Sequence, residues 1–319
     1  MKEYKVKGYN TYDPLKTCLV GRTYDRKQFK HLQDGKVKDV LYKILDETEE
    51  DYINMVDVLE KHGVEVLRPD IADGDFAHRP ANQPRDDMAV IGETLYVNNN
   101  RPEYKSILDQ IKNKVIVESC EQQKLMSTSF IHRRGGTLHW GTNKPGWRDS
   151  ALVKRYESQW TAEGFKVDIM ENEGHGDCTW CVPKEGCIVT LFEIQDYKEK
   201  FPGWDICYLE DKYWDQMSPF RKVKQKNGGK WWVPGEEDSD EFSEYVETYL
   251  KDWVGYVEET VFEVNMLSLN TETILVNNYN KKVFDFLEKH NINPIVVPFR
   301  HRWFWDGGVH CVTQDLYRS

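Results

Sequence analysis

The sequence has no run of about 18 or more apolar residues, the length a membrane helix needs. Its opening stretch, Met1 to Gly8, carries no apolar core of the kind found in secretion signals. Basic residues are not in excess either: 43 Lys and Arg stand against 54 Asp and Glu, a formal net charge of -11. A surface that neutralises a phosphate backbone carries the opposite sign. Neither nucleic acid nor a membrane is therefore expected as a partner, and a soluble, cytoplasmic protein is. The seven cysteines are spread through 319 residues and odd in number, so they make no disulfide framework and fit a reducing compartment. Cys178 and Cys181 form a C-x-x-C, but no second pair of Cys or His lies at finger spacing. Paired strand cysteines are the better reading there, and no metal or cofactor is expected. The G-x-G-x-x-G fingerprint of a dinucleotide-binding sheet is also missing.

What is present is a chain with 39% hydrophobic and 13% aromatic residues, enough to bury a substantial core. Along it a unit recurs. Thr17 to Gly21 reads as a strand, Tyr52 to His62 as an amphipathic helix and Val64 to Arg68 as a strand. DMAVIGETLYVNN gives two strands about a turn at Gly92, followed by a helix over Arg101 to Ile111 and a strand at Val115 to Val117. A third copy holds Thr137 to Trp140, a helix from Ser150 to Glu163 stopped by Gly164, and Phe165 to Ile169. A fourth holds Thr179 to Val182, Cys187 to Phe192, a helical Gln195 to Lys200 and Asp205 to Leu209. The fifth is the clearest: VNMLSLN, TILVNN, KKVFDFLEKH and PIVVPF. Before it, about 210–262, lies a Trp-, Lys- and acid-rich insertion with a helix expected over Asp238 to Val254. Units this small cannot bury both faces of their sheets alone, so they must pack around something shared. The expected architecture is α/β, one domain over 1–319, a pseudo-fivefold ring of strand-strand-helix-strand units: a five-bladed α/β propeller.

Unusual residues gather at the joints between copies. Pro84-Arg85-Asp86-Asp87 precedes the second copy, Arg133-Arg134-Gly135-Gly136-Thr137 the third and Gly174-His175-Gly176-Asp177 the fourth, while Gly307-Gly308-Val309-His310-Cys311 follows the fifth. A thiol with a distant imidazole is the minimum for nucleophilic catalysis, since the thiolate attacks and the imidazole moves protons. Two carboxylates beside them would bind a planar cation, and a guanidinium offers forked donors that match paired carboxylates.

These stretches resemble the guanidino-group-modifying, or pentein, superfamily, and within it the glycine amidinotransferase branch. The residues that carry the likeness are YDPLKTCLVGR, DVLEKHGVEVLRPD, QPRDDMAVIGETLYV, GHGDCTWCVPKEGCIV, VNMLSLNTETILVNN and, most specifically, GGVHCVTQD. The resemblance implies Cys311 as nucleophile, His175 as general acid and base, and Asp86 and Asp177 as guanidinium ligands, on the same five-bladed ring. It implies amidino transfer from arginine or a similar guanidino donor to a primary-amine acceptor through an amidino-cysteine. A hydrolase of the same superfamily, a deiminase or dihydrolase, and a noncatalytic binding protein are the alternatives. At RRGGT the sequence departs from the superfamily, which carries acids where Arg134 and Thr137 stand: either Arg134 turns away from the channel, or it meets an anionic group of the substrate, or the protein is not a catalyst of the usual kind. Arg85, Arg134, Asn265, Arg300 and Arg302 are the candidates for binding substrate. The partners expected are the small-molecule donor and acceptor, with a homodimer left open.

Overall fold

The computed structural model describes residues 2–71, 78–117, 129–141, 146–170, 175–191, 197–209, 239–250, 252–253 and 262–319. Within them the strands are β1 (Leu15–Val20), β2 (Glu65–Leu67), β3 (Met88–Ile91), β4 (Thr94–Val97), β5 (Lys114–Val117), β6 (Ile131–Arg134), β7 (Thr137–Gly141), β8 (Lys166–Met170), β9 (Trp180–Lys184), β10 (Cys187–Thr190), β11 (Asp205–Tyr208), β12 (Leu267–Asn270), β13 (Thr273–Val276), β14 (Asn293–Val296) and β15 (Thr313–Arg318). They form five three-stranded sheets: β15-β1-β2, β3-β4-β5, β6-β7-β8, β9-β10-β11 and β12-β13-β14. In every sheet the first two strands pair antiparallel and the last two parallel. One topology is thus repeated five times, as the recurring sequence unit requires.

Local chemistry explains the repetition. Three of the hairpins turn at a glycine with positive φ, Gly92 at 57°, Gly135 at 57° and Gly186 at 88°, a conformation that costs other residues energy. The parallel pairing needs a crossover, which a helix supplies where the sequence has helical periodicity. Ser150 caps the helix Ala151–Ala162 by accepting from Val153 N at 3.3 Å, and Gly164 at φ 95° ends it. Asn280 caps Lys281–Lys289 by accepting from Lys282 N at 3.0 Å.

The structure corrects five details of the sequence reading. The third unit has a further strand, β6, over Ile131–Arg134, so that Arg133 and Arg134 lie inside the unit and not at a joint before it. The first unit lacks no strand: its antiparallel partner is β15, from the far end of the chain, paired from Leu15↔Arg318 to Val20↔Thr313. Its helix is longer than expected, Lys36–Lys61. The helix expected over Arg101 to Ile111 is a 3₁₀ turn, Pro102–Tyr104, and one α turn, Lys105–Leu108. It ends early because Gln110 O and Lys112 N bond to Tyr4 of the N-terminal segment instead. The helix expected over Asp238 to Val254 covers Asp240–Tyr249; most of the expected insertion, 210–238, 251 and 254–261, lies outside the described residues. Its Phe242 and Val246 join Leu250, Trp253 and the apolar face of Lys36–Lys61 in one core cluster, where Trp253 stacks on Trp305 at 5.7 Å.

Candidate active site

The five sheets share a structural position, the second residue ahead of the first strand. Asp86 stands there before β3, Ser129 before β6, Cys178 before β9, Asn265 before β12 and Cys311 before β15. These residues and their neighbours bond around a closed circuit. Ser129 Oγ donates to Asp86 Oδ1 at 3.0 Å, and Asp177 N donates to Ser129 O at 3.1 Å. Asn265 Nδ2 donates to Asp177 O at 3.3 Å, while His310 N donates to Asn265 Oδ1 at 2.9 Å. Arg85 N donates to Cys311 O at 3.4 Å and returns the circuit to the second sheet.

Cys311 Sγ lies inside this circuit and is buried. Asn265 Nδ2 donates to it at 3.0 Å, and Asp177 Oδ2 is 3.5 Å away. Two asparagines fix the loop that carries it: Asn277 Oδ1 accepts from Val309 N at 2.8 Å, and Asn265 Oδ1 accepts from Cys311 N at 3.3 Å. The paired glycines of the motif follow from close approach, since a Cβ on Gly307 would lie 2.2 Å from Gln83 Nε2 and one on Gly308 2.6 Å from Asn265 Oδ1.

Asp177 touches the thiol directly, while Asp86 and His175 pair with each other and join the circuit through Ser129. His175 Nδ1 lies 3.6 Å from Asp86 Oδ1, and its ring packs edge-on to Phe130 at 4.8 Å. The His175 and Asp86 side chains are 32% and 24% exposed, so this side of the site meets solvent. Burial pushes the Asp86 carboxyl up, a shift that His175 and Arg79 oppose and the charges of Asp177 and Asp87 reinforce. For Asp177 burial also pushes upward, but the His310 hydrogen bond and the charges of His310, His175 and Arg85 outweigh it and hold the carboxyl below its usual range. Asp177 is therefore an acceptor, and His310 Nδ1–H donates to its Oδ2 at 2.7 Å. Burial and the charge of Arg85 lower His310, against the pull of Asp177.

No motif in the sequence assigns a role to His310, Ser129 or Asn277, yet each touches the site. The signal that would have found Ser129 is its offset of two residues from the next strand, the same as for Asp86, Asn265 and Cys311.

The four arginines named as candidates for binding substrate all have partners within the protein. Arg134 is at the turn of the β6–β7 hairpin, its Nε 3.3 Å from His139 Nε2, its guanidinium 3.6 Å from Glu185 and over the rings of Phe201 and Trp204. Thr137 is its partner in that turn. Side chains alternate along a strand, so it is Arg133 that points inward, and it bonds Asp315 and Val90 O. Arg85 is buried against His310 O, Thr313 O and Asp315, beside the loop that carries Cys311. Arg300 ties that end of the chain to the helix Lys36–Lys61 through Asp51, Glu50 and Glu47. Arg302 bonds Phe299 O at 3.1 Å and lies over the Trp303 ring at 4.1 Å.

Among the described residues, Asp177, Cys178 and Cys311 offer ligand atoms within 4.8 Å of one another, near enough to share one soft cation. The same atoms form the thiol site, and Cys178 and Cys181 do not act as a pair: Cys181 packs with Val189 and Met266 in a separate core cluster.

No protein-family profile matches the sequence, and no curated protein sequence matches it significantly. Solved structures do. SxtG, an amidinotransferase from Microseira wollei in the saxitoxin biosynthetic pathway, superposes with a TM-score of 0.68 at 16% identity, over 98% of this chain and 97% of that one. The inosamine-phosphate amidinotransferase StrB1 from Streptomyces griseus gives 0.66 at 18% identity, over 98% and 97%. Dimethylarginine dimethylaminohydrolase from Pseudomonas aeruginosa gives 0.58 at 13% identity, over 94% and 98%. Over nearly its whole length the chain therefore has the fold of these transferases and hydrolases, the pentein fold.

Proposed function

We propose that the protein is an amidinotransferase, and that its five sheets close as a five-bladed ring around the Cys311 site. The observation that carries this reading is the circuit itself, around which a thiol, an imidazole and two carboxylates from three different sheets gather. Asp86 and Asp177 would hold the guanidinium of arginine or a similar donor by charge-assisted hydrogen bonds. The Cys311 thiolate would attack the guanidinium carbon, and His175 would hand a proton to the departing amine. The amidino group, now on sulfur, would pass to a primary amine whose proton returns to His175. His310 would hold Asp177 in place. The two amidinotransferases superpose better than the hydrolase, which favours amine over water as acceptor.

Incubation with arginine labelled in the guanidino carbon tests the reading. Intact mass should show the label on Cys311, and none in Cys311→Ala. Ornithine together with a new guanidino product when an amine is supplied supports transfer. Citrulline, or ornithine with free ammonia and carbon dioxide in the absence of any amine, indicates a hydrolase, and no adduct on Cys311 with no turnover indicates a binding protein.

A further inference from the structure

The amidino chemistry gives Cys178 no step, yet Cys178 stands at the same place in its unit as Cys311 does in its own. The two sulfurs are 3.7 Å apart, and Asn265 Nδ2 lies 3.0 Å from each. Disulfide sulfurs sit about 2 Å apart, so the pair can join through small side-chain rotations, without moving either sheet. The residues are 133 apart in the sequence, which is why the C-x-x-C spacing points to the wrong partner for Cys178.

We propose that Cys178 is a resolving thiol for Cys311, so that oxidation of the site by hydrogen peroxide ends in a reversible Cys178–Cys311 disulfide. In the first step the Cys311 thiolate attacks one peroxide oxygen, the O–O bond breaks, and the hydroxide that leaves takes up a proton to become water. Cys311 is now a sulfenic acid. In the second step the sulfur of Cys178 attacks that of Cys311, the S–O bond breaks, and the departing hydroxide takes the Cys178 proton as a second water. Two thiols have given up two electrons and one peroxide has become two waters. His175 and Asp86, partly exposed beside the circuit, mark the side from which a molecule this small would enter.

The remaining described thiols are poor competitors. Burial pushes Cys18 up to about 12 and Cys187 up to about 11, and it raises Cys181 and Cys207 as well, so all four are protonated at neutral pH. The disulfide would remove the nucleophile from reaction while sparing it the irreversible oxidation states above sulfenic acid.

The proposal rests on Cys311 being the reactive thiol of the proposed function but needs no amidino transfer, so its test uses no guanidino substrate. The full chain is treated with hydrogen peroxide, blocked, digested without reductant and mapped by mass. The expected product is a crosslinked pair of peptides bearing Cys178 and Cys311, about 2 Da lighter than their sum and separated by dithiothreitol. In Cys178→Ser, Cys311 should instead gain about 32 Da as a sulfinic acid that dithiothreitol leaves in place. Wild-type protein in which Cys311 reaches the sulfinic state with no such crosslink, or in which Cys178 links to Cys181, overturns the proposal. The wild-type map decides even if the variant does not fold. A crosslink found where labelled arginine leaves no adduct would remove the amidinotransferase reading and leave this one standing.

Discussion

At the residue scale, neighbouring side chains of the same type do opposite things. Asp86 accepts from Ser129 Oγ at 3.0 Å and lies 3.6 Å from His175 Nδ1, whereas Asp87 accepts from Arg101 Nε at 2.8 Å, Tyr104 Oη at 2.7 Å and Asn99 Nδ2 at 2.8 Å and so anchors the joint. Asp86→Asn should therefore leave the fold intact while raising KM for the guanidino donor and lowering kcat, together about tenfold to a hundredfold in kcat/KM, the value of one charge-assisted hydrogen bond. Steady-state kinetics on both parameters checks this; an effect on kcat alone would mean that Asp86 acts only in the transition state. Arg133 and Arg134 divide in the same way, one buried and one at an outer hairpin turn. Arg134→Glu should change kcat/KM by less than about threefold, because its contacts are with His139, Glu185, Phe201 and Trp204 and not with the thiol site. A large gain toward simple guanidines would place its charge at the site after all.

At the scale of elements, the sequence shows what is local and hides what is not. Hairpin turns at Gly92 and Gly186 and the helix stop at Gly164 are legible because each is fixed by a few adjacent residues, whereas the turn at Gly135 reads as a joint between copies until β6 is seen to pair with β7. The pairing of β1 with β15 is not, since nothing near Leu15 or Thr313 says that the two meet across almost the whole chain. The Cys311 loop is legible as a candidate for chemistry, but its support from Asn265 and Asn277 is not, because those contacts join separate units. That support is tight enough to be tested with one methyl group. A Cβ on Gly308 would fall 2.6 Å from Asn265 Oδ1 and 2.7 Å from both Asn277 side-chain atoms. Gly308→Ala should cost about 1–3 kcal/mol of stability and, by displacing Cys311 from Asn265, lower kcat far more than it raises KM. Denaturant unfolding and kinetics measured on the same preparation separate the two effects; unchanged kcat would show that the loop accommodates the methyl group without moving the thiol.

For the whole molecule, the circuit at the site is one tie among the sheets and Asp315 is another. Asp315, in β15, is buried with Arg85 from the joint before β3, Arg133 from β6 and Arg318, which also donates to Ser268 O in β12 at 2.9 Å. Burial pushes the Asp315 carboxyl up, but the three guanidinium charges prevail and hold it well below its ordinary value. Asp315→Asn would leave three buried cations without their anion and should lower stability by about 3–5 kcal/mol, read from the urea midpoint. The acid side of the stability curve follows from a different group. His132 lies buried on the Trp180 ring at 4.1 Å, and burial, with the charge of His310, lowers it to about 3. In the unfolded chain it takes up its proton near its ordinary value of 6.5. Between those two values the unfolded state holds a proton that the folded state does not, so stability must fall as pH drops through that window, by about 1.4 kcal/mol per pH unit for this one residue. His310, lowered in the same direction, adds to the slope. Asp315 and Asp177, being depressed carboxyls, contribute stability that is intact above their ordinary range and is lost only at lower pH. His132→Phe keeps a ring on Trp180 but removes the proton. Its unfolding free energy, followed from pH 6.5 to 4.5, should fall less steeply than that of the wild type by about that amount per pH unit. Parallel curves for the two proteins would mean that His132 titrates alike in both states, and the acid sensitivity would then belong to other groups.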